Sequence, residues 1–180
     1  MNTHTLLACL LFTLGAIVTL PLSNNVLSAQ CLNEPQEQIL FPSIAQTGDS
    51  AGTQVRISAN TLIISCPYND LGGENTGAIV VYERIDSKSI WTETSQILGL
   101  TQASSGFTAS IDTNGEWIAV GLGPLDTVNL YSKDALTNEW TLSQTLLPTL
   151  DGNQALERFG HRVRFEDTTL YVGQSDYQTT

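Results

Sequence analysis

Past residue 50 the chain is written in short apolar runs separated by turn-forming residues. Four runs open the pattern, at about residues 54–58, 61–65, 78–83 and 91–97, and they are rich in Val, Ile, Thr, Tyr and Trp. These residue types fit a pleated, half-buried surface, so each run predicts a β-strand. Between the runs stand Ser58-Ala59-Asn60 and Asn69-Asp70-Leu71-Gly72-Gly73, and further along Asp112-Thr113-Asn114-Gly115, each predicting a turn. Nothing after the first thirty residues carries a sustained helical period, which excludes a helical repeat protein.

The pattern then recurs. A segment beginning at Gly52 aligns with one beginning at Gly106 and one beginning at Phe159. Ile57, Ile111 and Phe165 share a position. After a turn come the apolar strands Leu62-Ile63-Ile64-Ser65, Ile118-Ala119-Val120-Gly121 and Leu170-Tyr171-Val172-Gly173. Val81-Tyr82 matches Leu130-Tyr131, Trp91-Thr92 matches Trp140-Thr141, and Ser95-Gln96-Ile97-Leu98 matches Ser143-Gln144-Thr145-Leu146. Correspondences kept in the same order define a repeat of about fifty residues, four strands to each full unit.

Phe159-Gly160 opens the third unit, with Gly52-Thr53 and Gly106-Phe107 as looser versions of it. Ser65-Cys66-Pro67, Gly121-Leu122-Gly123-Pro124 and Gly173-Gln174-Ser175 stand near the ends of the second strands. With these motifs, residues 47–180 resemble the FG-GAP repeats of integrin α-chain propellers and of many secreted proteins. The resemblance implies an all-β fold of propeller blades, each of four antiparallel strands. About two and a half blades are expected, over residues 47–98, 99–148 and 149–180, with residues 30–46 as a candidate ring-closing strand. Blades packed about an axis bring backbones close, which is where glycine, lacking a Cβ, is expected. Trp91 and Trp140 are expected to fill space between sheets.

The resemblance also raises calcium, because integrin-type loops set several Asp or Asn oxygens around a hard cation. Here the corresponding loops are too short to wrap an ion. Asn69 and Asp70, with Asp112 and Asn114, remain the candidate metal-ligating residues; an ordinary turn is the competing reading for Asp112 to Gly115. No cofactor is expected otherwise. An enzyme would need a nucleophile with a base, paired carboxylates or a metal cluster. His161 stands without a second His or Cys at ligand spacing, so it reads as a strand residue and no catalytic residue is expected. Arg158, Arg162 and Arg164 form a basic cluster expected to pair with carboxylates of a neighbouring blade.

Composition narrows the setting. The formal charge is −11 and the sequence pI about 4.3, which argues against nucleic acid as a partner, since phosphates require Lys and Arg. Leu6 to Leu20 is an almost unbroken apolar run. It suits the core of a signal peptide and falls short of the ~20 residues of a membrane-spanning helix. Residues 1–29 are therefore expected to be a signal peptide and the protein to be secreted or held at the cell surface; an uncleaved anchor is the competing reading. Removing the leader leaves Cys31 and Cys66, and in an oxidising compartment a disulfide between them stands beside a free buried thiol. The mature chain has room for about three units, fewer than a closed propeller. A fragment is expected, or a chain that associates with its own copies through an open blade face. The function that the resemblance implies is recognition or adhesion through propeller loops, with an extracellular protein or glycan as partner. A structural piece of a larger surface protein, or the non-catalytic part of an extracellular enzyme, is the alternative.

Overall fold

The repeat becomes a stack of sheets. The computed structural model describes residues 37–99, 110–149 and 158–174; the expected signal peptide, Cys31 and the start of the second unit lie outside them. Ten strands are present: β1 (Val55–Ser58), β2 (Thr61–Cys66), β3 (Ala78–Glu83), β4 (Thr92–Leu98), β5 (Ser110–Thr113), β6 (Trp117–Leu122), β7 (Thr127–Lys133), β8 (Trp140–Leu146), β9 (Phe159–Glu166) and β10 (Thr169–Gln174). They form two four-stranded antiparallel sheets, each in simple chain order, and an antiparallel hairpin of β9 and β10. One single-turn 3-10 helix, Gly123–Leu125, is the only helical element among the described residues. The protein is all-β.

The register explains which residues are core. Leu62 and Ile64 pair with Tyr82 and Val80 on one face of the first sheet, while Ile63 pairs with Val81 on the other. Both faces of β2 and β3 are buried, so these strands read as continuous apolar runs rather than alternating ones. Ile63, Ile79, Val81 and Ile97 pack against Ile111, Ile118, Val120, Leu122, Tyr131 and Trp140, joining the first sheet to the second. Ala119 and Val128, with Leu130 and Leu146, pack against Val163, Phe165, Leu170 and Val172 of the hairpin. The remaining face of the first sheet is covered by Leu40 and Ile44 of the segment ahead of β1, with Trp91 and Leu98 at its outer side. Each buried Val, Leu or Ile contributes about 1.5–3 kcal/mol. Apolar burial between layers is therefore the main cohesive term.

Corresponding strands face one another through the stack: β1 lies against β5, and β5 against β9. The contact is polar as well as apolar. Val163 and Phe165 turn their N–H groups away from β10, and these are accepted by Ser110 Oγ at 3.0 Å and Asp112 Oδ2 at 2.7 Å. One layer earlier, Ile111 N–H is accepted by Gln54 Oε1 at 3.3 Å. Side chains of each inner strand thus satisfy edge donors of the next, which would otherwise stay unpaired in a dry interface.

Three expectations are corrected here. Asp112 is not a turn residue but a buried member of β5, and the turn is tightened instead by Asn114, whose Oδ1 accepts from Glu116 and Trp117 N–H. Arg162 and Arg164 are exposed on β9, and among the described residues neither has a carboxylate partner. The ion pairs that link layers are Arg56 with Asp112, at 3.9 Å, and Lys133 with Glu83, at 2.7 Å. Strand alternation puts the two arginines on the face of β9 turned away from the second sheet, which explains why its carboxylates are out of reach. Trp91, finally, is only half-buried at one side of the first sheet, where the Arg84 guanidinium stacks over its ring at 4.4 Å.

Candidate functional site

The connection between β2 and β3, residues 67–77, is the largest ordered loop among the described residues, and its sequence explains its shape. Gly73, Asn75 and Gly77 adopt positive φ of 134°, 51° and 76°, conformations that Gly and Asn accept at lowest cost. Asn69 sits at its centre, almost completely buried. Its Nδ2 donates to Asp49 Oδ2 at 2.6 Å and to Ile44 O at 3.0 Å, while its Oδ1 accepts from Leu71 N–H at 3.0 Å. Asp49, itself buried, also accepts from Gln46 N–H at 2.9 Å. Asp70 Oδ1 accepts from Asn75 N–H at 2.6 Å, and Thr76 Oγ donates to Gly73 O at 3.0 Å. Gly77 N–H closes the loop on Asn69 O at 2.9 Å.

This network fixes the loop before any partner arrives. What it leaves outside is Tyr68, 44% exposed, and Leu71, 57% exposed, flanked by the solvent-facing Asp70 and Glu74. Two apolar anchors on a rigid loop, ringed by carboxylates, can bind a surface that offers an apolar pocket with basic neighbours. Ordering such a loop in advance removes an entropic cost from binding.

The segment beneath the loop is tied to the first sheet by a polar cluster. Glu93 accepts from Ser43 N–H at 2.9 Å, from Ser43 Oγ, and from Gln96 Nε2 at 2.9 Å, and Tyr82 Oη donates to it at 3.3 Å. Burial alone would raise the Glu93 carboxyl, but these donors outweigh it and hold it below its ordinary range. The same burial, with the Glu93 charge beside it, pushes the Tyr82 phenol up to about 12. Cys66 carries a free, buried thiol, pushed up to about 11 by burial first and then by the charges of Asp49 and Glu93. Its suggested partner Cys31 lies outside the described residues.

The four candidate metal residues are not brought together. Asn69 and Asp70 are spent on folding the loop. Asp112, in the second sheet, is committed to Phe165 N–H and Arg56. Asn114 tightens the β5–β6 turn and donates to Asp167 O at 3.0 Å. Among the described residues no group of three His, Cys, Asp or Glu side chains is placed to hold a metal ion. His161 sits half-buried in β9 beside Gly123.

A concavity of about 450 Å³ is lined by residues of both four-stranded sheets, among them Gln96, Leu98, Thr127, Asn129, Trp140 and Leu142. Trp140 is among its lining residues, but the indole N–H is buried and without a hydrogen-bond partner. The sequence signals for the loop were its Asn-Asp and Gly-Gly pairs; the roles of Asp49 and Ile44, some twenty residues away, had none. No family model matches this chain, and no curated protein matches it.

Proposed function

We propose that this is an exported recognition protein whose stacked sheets are propeller blades of the FG-GAP type, and whose loop 67–77 binds an extracellular protein. The observation that carries the reading is the preorganised loop itself, with Tyr68 and Leu71 held outward by a buried Asn69–Asp49 pair. A tyrosine held outward on a rigid scaffold is a frequent anchor of protein interfaces, and Leu71 beside it adds apolar area. The repeated four-stranded sheets, stacked with corresponding strands facing, support the blade reading. Glycan recognition is the weaker variant, because the exposed tip has one aromatic ring and few amide donors.

The test is binding of the purified protein to parallel arrays of immobilised extracellular proteins and of glycans, beside a Tyr68→Ser/Leu71→Ser double variant. Saturable binding to a protein target, reduced at least about tenfold in the variant, is the expected result, since anchor residues carry 2 kcal/mol or more, roughly. Equal binding by both forms, or binding confined to glycans, overturns the reading.

A further inference from the structure

The two outer faces of the stack expose positions whose repeat equivalents are interior. Ile57 aligns with Ile111; the first is 57% exposed and the second 0%. Tyr171 aligns with Ile63 and Ala119; it is 54% exposed and they are 0%. Val55, also exposed, aligns with the buried Val163. These are not scattered surface residues. Val55 and Ile57 lie on the face of β1 that a preceding layer would cover, whereas Tyr171 lies on the face of the hairpin that a following layer would cover.

The two faces also complement one another. Along the chain, Asp112 of one inner strand accepts the N–H of Phe165 in the next. By the same alignment the hairpin offers Glu166 in place of Asp112, and β1 offers the N–H of Ile57 in place of that of Phe165. In β1 that N–H turns away from β2, because Ser58 and Thr61 form the hydrogen-bonded pair next to the turn. On that side of the sheet the segment around Leu40 and Ile44 packs over the buried residues of β2 and β3, while Val55 and Ile57 of β1 stay exposed beside it.

From this we propose that the protein associates head to tail with a second copy of itself, the β9–β10 hairpin of one copy seating on β1 of the next. Ile57 then becomes buried beneath Tyr171, and Glu166 accepts Ile57 N–H across the junction. The contact continues, between chains, the layer-to-layer contact made twice within one chain. Being heterologous, it leaves a free head and a free tail on every dimer, so assembly grows to a closed ring or an open filament. The proposal is independent of the ligand-binding loop.

The experiment uses the purified protein in sedimentation velocity over a wide concentration range, with two exposed-site variants, Ile57→Lys (broken head) and Tyr171→Asp/Glu166→Arg (broken tail). Wild type is expected to show concentration-dependent species above monomer mass. Each variant alone is expected to be monomeric with an unchanged far-UV circular dichroism spectrum. Mixed, they are expected to form a discrete dimer and nothing larger, because one intact head meets one intact tail. A wild type that stays monomeric throughout, variants that associate like wild type, or a mixture that yields no dimer would each overturn the proposal. The first of these would assign the exposed edge to cover from within the same chain.

Discussion

The two junctions of the stack solve one problem in different ways. Between the first and second sheets the space is filled by large side chains: Ile63, Ile79, Val81 and Ile97 meet Ile118, Tyr131 and Trp140. Between the second sheet and the hairpin the facing residues on β6 are Ala119 and Gly121, and backbone takes the place of side chain. Gly160 lies directly on Gly121, its φ is 84°, and a Cβ built on it would stand 2.6 Å from Thr127 O. Those two glycines belong to the Phe-Gly pair of the third unit and to the strand-end Gly of the second, where the repeat motif is best preserved. At the first junction the position equivalent to Gly121 is Ser65, and a side chain is tolerated there. The motif is therefore the signature of a close backbone approach, and it degenerates where bulk does the same work.

The largest expected difference comes from placing alanine at the matching position of each junction, which adds a Cβ at Gly121 and removes a hydroxyl at Ser65. Gly121→Ala drives a methyl into Gly160 O, a backbone atom that cannot swing aside. Overpacking a tight core costs about 1–3 kcal/mol and rises when backbone must move, so the expected loss is roughly 3 kcal/mol or more, with the hairpin undocked. Ser65→Ala, at the matching position, loses only the acceptor for Gln54 N–H at 2.9 Å, an expected cost of about 1–2 kcal/mol. Urea denaturation of both variants measures the difference. Comparable losses would mean that the junctions are not built differently.

A smaller effect probes the outer cover of the first sheet, which neither junction touches. The folded-state pKa of Glu93 is depressed below its ordinary 4.5. The stability it contributes is therefore present above about pH 4.5 and fades as pH falls through its lowered value, when the folded carboxylate takes up its proton. Acid is expected to release the segment around Ser43, read as a change in the fluorescence of Trp91, whose N–H and carbonyl are held by Gln38 at 2.8 and 2.9 Å. Glu93→Gln, which cannot gain a charge, should show the released signal in part at neutral pH and lose the acid step. An acid step unchanged in the variant would assign it to another group.

What the sequence made legible follows the strength of local signals. Strand positions came through within a residue or so, because alternation and turn residues act over a few neighbours: Thr61, Ala78 and Glu83 fall at strand ends as the pattern requires. The glycines at 121 and 160 were readable as sites of close approach, since only a missing Cβ explains them. Asp112 was misread as a turn residue because its partners, Arg56 and Phe165, lie more than fifty residues away on either side. Arg162 and Arg164 were assigned partners from the acidic background; the two-residue period puts them on one face of the strand but does not say which face meets the second sheet. Loop 67–77 was only half visible: Asn69 and Asp70 stood out as oxygen-rich, yet each uses a side-chain oxygen to accept a backbone N–H of the loop, and the exposed apolar residues are Tyr68 and Leu71.

The claim on which the rest depends is that each inner strand locks the next through side chains that accept its edge N–H groups. Amide hydrogen exchange at Val163 and Phe165, followed by NMR in the wild type and in Ser110→Ala/Asp112→Ala, tests it residue by residue. Both amides are expected to exchange slowly in the wild type and to become fast in the variant, while amides within β2 and β3 keep their protection. Fast exchange at Val163 and Phe165 already in the wild type, or slow exchange that survives the double substitution, would contradict the account.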